Sequence, residues 1–263
     1  MNPIALEIGP LTIRWYALFT MIGIAVGVSL AMVLAKKFNI KREDLIDGIT
    51  YGIPVGIVGA RVYYVIFEWE RYMHNPIDAL KMYEGGGAIH GSIIAAGIFT
   101  IWFANKKKMP TLRVVDTVAV GFIIAQAIGR WGNFVNQEAH GPATTLEFLQ
   151  NLHLPQFVID GMNINGVYYH PTFLYESVWN LIGFAIIMLF IYKFNSKPGS
   201  PALLYLIWYS IGRYMIEALR TDSLMIGPFK MAQLISIFFI AFSAIIWILK
   251  NKYLIKESRL IEE

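Results

Sequence analysis

Arg213, Glu217 and Arg220 are spaced i, i+4 and i+7, which on a helix sets a carboxylate between two guanidiniums on one face. Such a group offsets one positive charge, fixes both forks and leaves donors free for a ligand. The run Gly129-Arg130-Trp131-Gly132-Asn133-Phe134-Val135-Asn136-Gln137-Glu138 places two amides and a carboxylate just beyond another arginine, with glycines that let backbone approach a ligand. Glu84-Gly85-Gly86-Gly87-Ala88-Ile89-His90-Gly91 puts a histidine behind a flexible glycine run. Clustered guanidiniums suit phosphate, which they bind bidentately and whose negative charge they stabilise when it leaves. A histidine, ordinarily titrating near neutrality, can take the proton of an incoming nucleophile. Each feature has a plainer reading: Arg213–Glu217 as a buried pair, His90 as a polar contact, Asn133 and Asn136 as helix caps. Ser92 follows His90 by two residues, but no group is identifiable to orient it as a nucleophile. The remaining histidines, His74, His140, His153 and His170, are dispersed, and neither a P-loop nor a G-x-S-x-G elbow occurs. No metal or cofactor is called for. The chain contains no Cys, so it has no thiol nucleophile of its own.

The elements that must position these residues are membrane spans. Of 263 residues, 56% are hydrophobic and only 15% charged, and the mean hydropathy is +0.52. Soluble domains carry about 25% charged residues, so an ordinary cytosolic protein is excluded. Apolar stretches long enough to span run approximately over Leu11–Ala35, Leu45–Phe67, Gly87–Ala104, Val114–Phe134, Thr172–Tyr192, Pro201–Ala218 and Ile226–Leu249. The first has no basic segment before it and Lys36-Lys37 after it, so it is expected to stay as a helix rather than be cleaved.

Basic residues alternate between connections. Lys36, Lys37, Lys41 and Arg42 follow the first stretch, Lys106, Lys107, Lys108 and Arg113 the third, Lys193 and Lys197 the fifth, and Lys250, Lys252, Lys256 and Arg259 the last. The second connection has only Arg71 and Lys81, the sixth only Arg220 and Lys230, and the fourth none. The positive-inside rule then puts the N-terminus outside and the C-terminus in the cytoplasm. The reading is an all-α integral membrane protein, one seven-helix domain over 1–263. A small external cap is inserted at about 136–171, and a shorter one is expected at Ala79–Gly87. The basic residues of the connections orient the chain, and the net charge of +4 gives no reason to expect nucleic acid.

Arg14, Arg61, Arg130 and Arg213 fall within spans or at their mouths. An arginine at the bilayer centre costs about 2.5–3.5 kcal/mol unless it is paired or faces a polar cavity. Arg14 reads as an interfacial anchor. Counting back from the outer ends places Arg130 and Arg213 roughly 6–8 Å below the interface and Arg61 roughly 9 Å. Tyr16 and His90 open spans that run the other way, so five helices deliver polar groups to the depth of outer-leaflet headgroups. A phospholipid-handling enzyme fits this cavity. A transporter or flippase for an anionic lipid or solute is the alternative, although transporter sites lie at the midplane.

The run from Gly129 to Gly141 resembles the signature G-R-x-G-N-F-x-N-x-E-x-x-G of the bacterial prolipoprotein diacylglyceryl transferases. Ile13-Arg14-Trp15-Tyr16, Gly59-Ala60-Arg61, Ile89-His90-Gly91, His170-Pro171-Thr172-Phe173-Leu174-Tyr175-Glu176 and Arg213-Tyr214-Met215-Ile216-Glu217 are similar to further motifs of that family. The family often has a second Gly after His-Gly, where this chain has Ser92. The resemblance implies a multi-pass enzyme of the bacterial cytoplasmic (inner) membrane with its active site toward the outer leaflet. It would move the diacylglyceryl group of phosphatidylglycerol to the lipobox Cys of a preprolipoprotein signal peptide, releasing glycerol phosphate. On that resemblance Arg130 matches the phosphatidylglycerol-binding arginine. Asn133, Glu138 and Gly141 match the other marked signature positions, and Tyr16, His90, Arg213 and Glu217 positions of functional importance. Arg130 and Arg213 are expected to hold the phosphate, with Arg61 and Arg220 extending the binding site. Glu217 would orient Arg213, His90 assist thiol deprotonation, and Tyr16, Asn133 and Glu138 bind headgroup glycerol or peptide.

Overall fold

The computed structural model describes residues 1–9, 11–81 and 85–262. The chain opens with an antiparallel hairpin, β1 (Ile4–Ile8) and β2 (Leu11–Arg14), which leads straight into α1 (Trp15–Lys37). The first apolar stretch, expected to be helical from Leu11, therefore begins as a strand. Then come α2 (Arg42–Phe67), α3 (Trp69–Tyr72), a 3₁₀ turn at Pro76–Leu80, α4 (Ile89–Lys106) and α5 (Thr111–Asn136). Of the expected shorter cap at Ala79–Gly87, residues 82–84 lie outside the described residues.

The long fourth connection is folded. It holds β3 (Ala143–Thr144), α6 (Leu146–Asn151), α7 (Gln156–Gly161), β4 (Asn163–Ile164) and β5 (Val167–Tyr169), with β5 central in a three-stranded sheet. The Asn165-Gly166 pair that joins β4 to β5 takes φ of 53° and 85°, the left-handed geometry that a two-residue hairpin turn demands. Thr145 caps α6 by accepting from the Phe148 N–H. Leu149, Val158, Ile159 and Met162 of this insertion pack against Phe134 and Phe173, so it has a hydrophobic core of its own. The chain continues through α8 (Thr172–Lys193), α9 (Ser200–Leu219), a hairpin of β6 (Met225–Ile226) and β7 (Phe229–Lys230), and α10 (Met231–Glu262). That hairpin takes the place of the first residues expected in the last span.

Among the described residues, five helices are long and apolar enough to cross a membrane: Trp15–Lys37, Arg42–Phe67, Thr111–Asn136, Thr172–Lys193 and Met231–Lys250. Their apolar side chains point outward as well as inward. Phe67 is 70% exposed, Ile248 65% and Phe238 61%, which is untenable in water and ordinary against lipid. The helices α4 and α9 cover the two other expected spans, and their polar residues, His90 in α4 and Arg213 and Glu217 in α9, make them less apolar.

The chain forms two compact units. In the unit Ala31–Thr117, α2 and α4 pack through small residues: a Cβ on Gly91 would lie 2.3 Å from the Gly59 carbonyl, and one on Gly56 3.0 Å from the Ser92 hydroxyl. Lys107 donates to Asp44 and Asp47 at 2.9 and 3.1 Å, and these bonds, that to Asp44 first, hold its ammonium pKa above the ordinary value. The other unit, Met1–Leu30 with Val118–Glu263, contains the insertion, α8, α9 and α10. Within it α1 and α5 approach closely at Gly27 and Gly121.

Candidate active site

Three helices of the larger unit converge on one carboxylate. Glu176, in the second turn of α8, is 3% exposed and lies 2.6 Å from Arg130 Nη2 on α5 and 3.4 Å from Arg213 Nη1 on α9. Arg213 Nη2 in turn meets Glu217 Oε2 at 2.6 Å, one turn along its own helix. On the other side Arg130 Nη1 donates to Asn133 Oδ1 at 3.3 Å, and the Nδ2 groups of Asn133 and Asn136 donate to Glu138 Oε1 at 2.9 and 3.2 Å. Asn136, Glu138, Asn133, Arg130, Glu176, Arg213 and Glu217 thus form one unbroken polar chain. Each guanidinium has five N–H groups. Arg130, touching Glu176, Asn133 and the Tyr209 hydroxyl, keeps donors for a further acceptor.

Local backbone aims these groups. Gln137 and Ala139 take φ of 53° and 58°, so Glu138 is flanked by two left-handed residues and its side chain folds back over the end of α5. Strain of this kind, roughly 1–2 kcal/mol per residue, persists where surrounding contacts over-determine it. The Thr172 hydroxyl donates to the Ala139 carbonyl and supplies one such contact. The register of α8 against α9 is set by a reciprocal pair: Trp179 Nε1 donates to the Trp208 carbonyl and Trp208 Nε1 to that of Trp179, both at 2.9 Å, with the rings stacked. Gly183 and Gly212 make room for those indoles, since a Cβ on either would come within 2.3 Å of one. Ser177 Oγ donates to the Ala127 carbonyl at 2.8 Å and locks α8 to α5 in the same way.

The signature glycines do different work. A Cβ on Gly132 would lie 2.6 Å from the Tyr16 ring and 3.1 Å from its Cα, so this glycine admits α1. Gly129 has nothing within 4 Å of where a Cβ would stand, which leaves space beside Arg130. At Gly141 a Cβ would come within 2.7 Å of His170 Cβ, and its N–H donates to the His170 carbonyl. The geometry therefore gives Gly141 a packing duty at the junction of the insertion with α8.

Arg220 departs from the expected arrangement. The α9 helix stops at Leu219, and Arg220 is an extended C-cap with φ −74° and ψ 138°. Its fork is taken by Asp222, both bonds at 2.9 Å, so Glu217 does not sit between two guanidiniums as the i, i+4, i+7 spacing predicted. Lys230 enforces that ending by donating to the carbonyls of Glu217, Ala218 and Arg220. The Arg220 bonds hold the Asp222 carboxyl below its ordinary pKa. Their contribution is present above the unfolded value of 3.8 and is lost as pH falls through the lower folded value.

Arg61 and His90 lie in the smaller unit. Arg61 is 7% exposed, and its guanidinium donates to the backbone carbonyls of Asp78, Ala79, Lys81, Gly85 and Gly86 at 2.6–3.2 Å. Gly86 is obligatory there: its φ is 82°, and a Cβ would press on Arg61 Nη1 at 2.7 Å. The Ala88 N–H donates to the Ala60 carbonyl, so Arg61 and its neighbour anchor the segment that leads into His90. Arg61→Lys, with one ammonium for five carbonyls, is expected to lose about 2–4 kcal/mol of stability and to speed amide exchange at Ala88. A melting temperature and exchange rate equal to the wild type would refute this clamp. His90 is the second residue of α4, exposed, with its ring tilted 6.2 Å from that of Tyr63. Ser92 packs on α2 at Gly56.

Sequence reasoning gave no role to Glu176, although it closes the motif His170–Glu176, and missed Tyr209. The signal for Glu176 was the one used for the arginines, an ionisable residue inside an apolar span, applied only to the basic side chains.

Long apolar helices sharing a buried arginine–carboxylate network define a multi-pass helical membrane protein. The sequence model of the prolipoprotein diacylglyceryl transferase family matches residues 3–249, and the chain belongs to that family. It is 46% identical over 259 residues to the phosphatidylglycerol–prolipoprotein diacylglyceryl transferase of Ligilactobacillus salivarius, covering 97% of this chain and 96% of that one. It is 44% identical over 262 residues to the protein of the same name in Bacillus mycoides, covering 100% and 97%. Its identity to the Bacillus cytotoxicus protein of that name is 43% over 263 residues.

Proposed function

We propose that this chain transfers the diacylglyceryl group of phosphatidylglycerol to the lipobox cysteine of a preprolipoprotein. The C–S bond forms at the glycerol carbon as that carbon's bond to the phosphodiester oxygen breaks. The thiol proton passes to a base, and glycerol phosphate leaves. The observation that carries this reading is the Arg130–Glu176–Arg213 bridge inside a chain of this family. Two guanidiniums held in fixed register can grip a phosphodiester and stabilise the charge that grows on its leaving oxygen. The thiol comes from the substrate, so a chain without Cys is suited to the reaction.

Arg130 and Arg213 hold the phosphate, Glu217 orients Arg213, and Tyr16, Asn133 and Glu138 face headgroup glycerol or peptide. All seven long helices span, with the N-terminus outside, the C-terminus in the cytoplasm and the 136–171 insertion as an external cap over an outer-leaflet site. The alternation of basic connections supports that orientation. The continuous family match supports one seven-helix domain in the bacterial cytoplasmic membrane.

The test is reconstitution of the purified chain with phosphatidylglycerol and a lipobox peptide, following thioether product and released glycerol phosphate together. Absence of either from an active preparation overturns the assignment. His90 serves as the base that assists the thiol. His90→Asn is expected to abolish the limb of the pH–rate profile that falls on acidification, and an unchanged profile places the base elsewhere.

A further inference from the structure

One helical turn from the charged network, on each of three helices, stands an uncharged polar side chain. Gln126 precedes Arg130 by four residues on α5, Asn180 follows Glu176 by four on α8, and Tyr209 and Tyr205 precede Arg213 by four and eight on α9. Four residues keep a side chain on the same face and move it roughly 6 Å along the axis. Because α8 runs away from the network while α5 and α9 run toward it, all three steps lead in one direction, into the apolar body of the helices. The layer is joined across helices, since the Tyr205 hydroxyl donates to Gln126 Oε1 at 3.2 Å. With Oε1 so used, Nε2 is the donor Gln126 offers.

Asn180 is the exceptional member. It is 0% exposed, yet neither its Nδ2 nor its Oδ1 meets a hydrogen-bond partner. A buried amide left unpaired is costly, so this position calls for a ligand group or a water. Its surroundings follow from the residues above and below it on the same face. Glu176 meets α5 and α9 through the arginines, and a Cβ on Gly183 would touch Trp208 of α9 and Ile123 of α5. Asn180 is therefore held between those two helices, under the bridge.

We infer that Asn180, with Gln126 oriented by the Tyr205 hydroxyl, forms a subsite for the ester carbonyls of the lipid's diacylglycerol portion; the inference rests on the phosphatidylglycerol reading above. The ester carbonyl carbons of such a lipid lie about five or six bonds from the phosphorus, a step comparable with one helical turn of about 5.4 Å. An ester carbonyl accepts hydrogen bonds only, and the amide N–H groups of Asn180 and Gln126 are uncharged donors that match it. Apolar side chains at this level would suit the acyl chains and leave the carbonyls unpaired. The layer thus distinguishes ester-linked from ether-linked lipid, which the arginines above it cannot do.

The experiment compares diacyl phosphatidylglycerol with its dialkyl ether analogue, using the full chain in mixed micelles with a lipobox peptide. The wild type is expected to show a KM for the ether lipid about tenfold above that for the diacyl lipid, equivalent to ~1.4 kcal/mol. Asn180→Leu, close in volume and without a donor, is expected to bring that ratio to about one by raising the diacyl KM. A wild-type ratio of one, or a ratio unchanged in Asn180→Leu, overturns the subsite. If Asn180→Leu does not accumulate as folded protein, Gln126→Met at the half-buried neighbouring position is read the same way: a collapsed ratio supports the subsite and an unchanged one refutes it. Thioether product from both lipids with equal KM removes the subsite alone. No product from either lipid removes the phosphatidylglycerol reading itself, and the subsite with it.

Discussion

Glu176→Gln is expected to lower kcat for diacylglyceryl transfer by about a hundredfold, or ~2.7 kcal/mol, while leaving KM for phosphatidylglycerol unchanged or smaller. The carboxylate lies 2.6 Å from Arg130 and 3.4 Å from Arg213 with almost no access to solvent. Removing one partner of a buried ionic group leaves uncompensated charge and costs about 3–5 kcal/mol. Gln retains the shape, but its amide must turn N–H groups toward one guanidinium, so the two forks lose their common anchor. A phosphodiester competes with this carboxylate for the same donors. Without it the lipid still binds the two cations, and the loss falls on the geometry of the reacting state. Kinetics of glycerol phosphate release, with a thermal melt in detergent, measure both effects. A kcat within threefold of wild type would show that Glu176 does not set the register of the arginines.

Arg130→Lys is expected to reduce kcat/KM by at least about a hundredfold, the scale of losing one preorganised donor to a developing oxyanion, with stability within about 1 kcal/mol of wild type. Arginine serves Glu176, Asn133 and the Tyr209 hydroxyl simultaneously through a planar fork. A lysine ammonium is a point donor with three N–H groups and keeps the pair with Glu176 at the expense of the others. Charge is conserved, so a large loss isolates the fork geometry. Turnover above about a third of wild type would place the phosphate elsewhere.

How much of this was legible beforehand differs from residue to residue. Arg130, Asn133 and Glu138 sit within nine consecutive positions, so their association is largely a property of one helix end and the turn that follows it. Arg213 and Glu217 are one helical turn apart, and their ion pair follows from spacing alone. Arg220 was misread because helical spacing continues on paper past Leu219, whereas Lys230, ten residues on, takes the carbonyls there and ends the helix. Depth and charge alone place Arg61 in the extended binding site. Its five bonds go instead to backbone carbonyls 17–25 residues away, and no local pattern announces them.

By itself the sequence determined the apolar helices, the folded insertion with its Asn165-Gly166 turn, and the family signature. These depend on local hydropathy, on turn stereochemistry and on runs of adjacent residues. Only the tertiary structure decided that Glu176 joins Arg130 to Arg213, and that the unpaired Asn180 lies one turn beneath that bridge. Those relations depend on the axial register of three separate helices. The register is fixed by Trp179 against Trp208, by Gly183 and Gly212, and by the bond from Ser177 to Ala127. A sliding error of a single turn, about 5.4 Å, would leave every helix intact and would separate the charges.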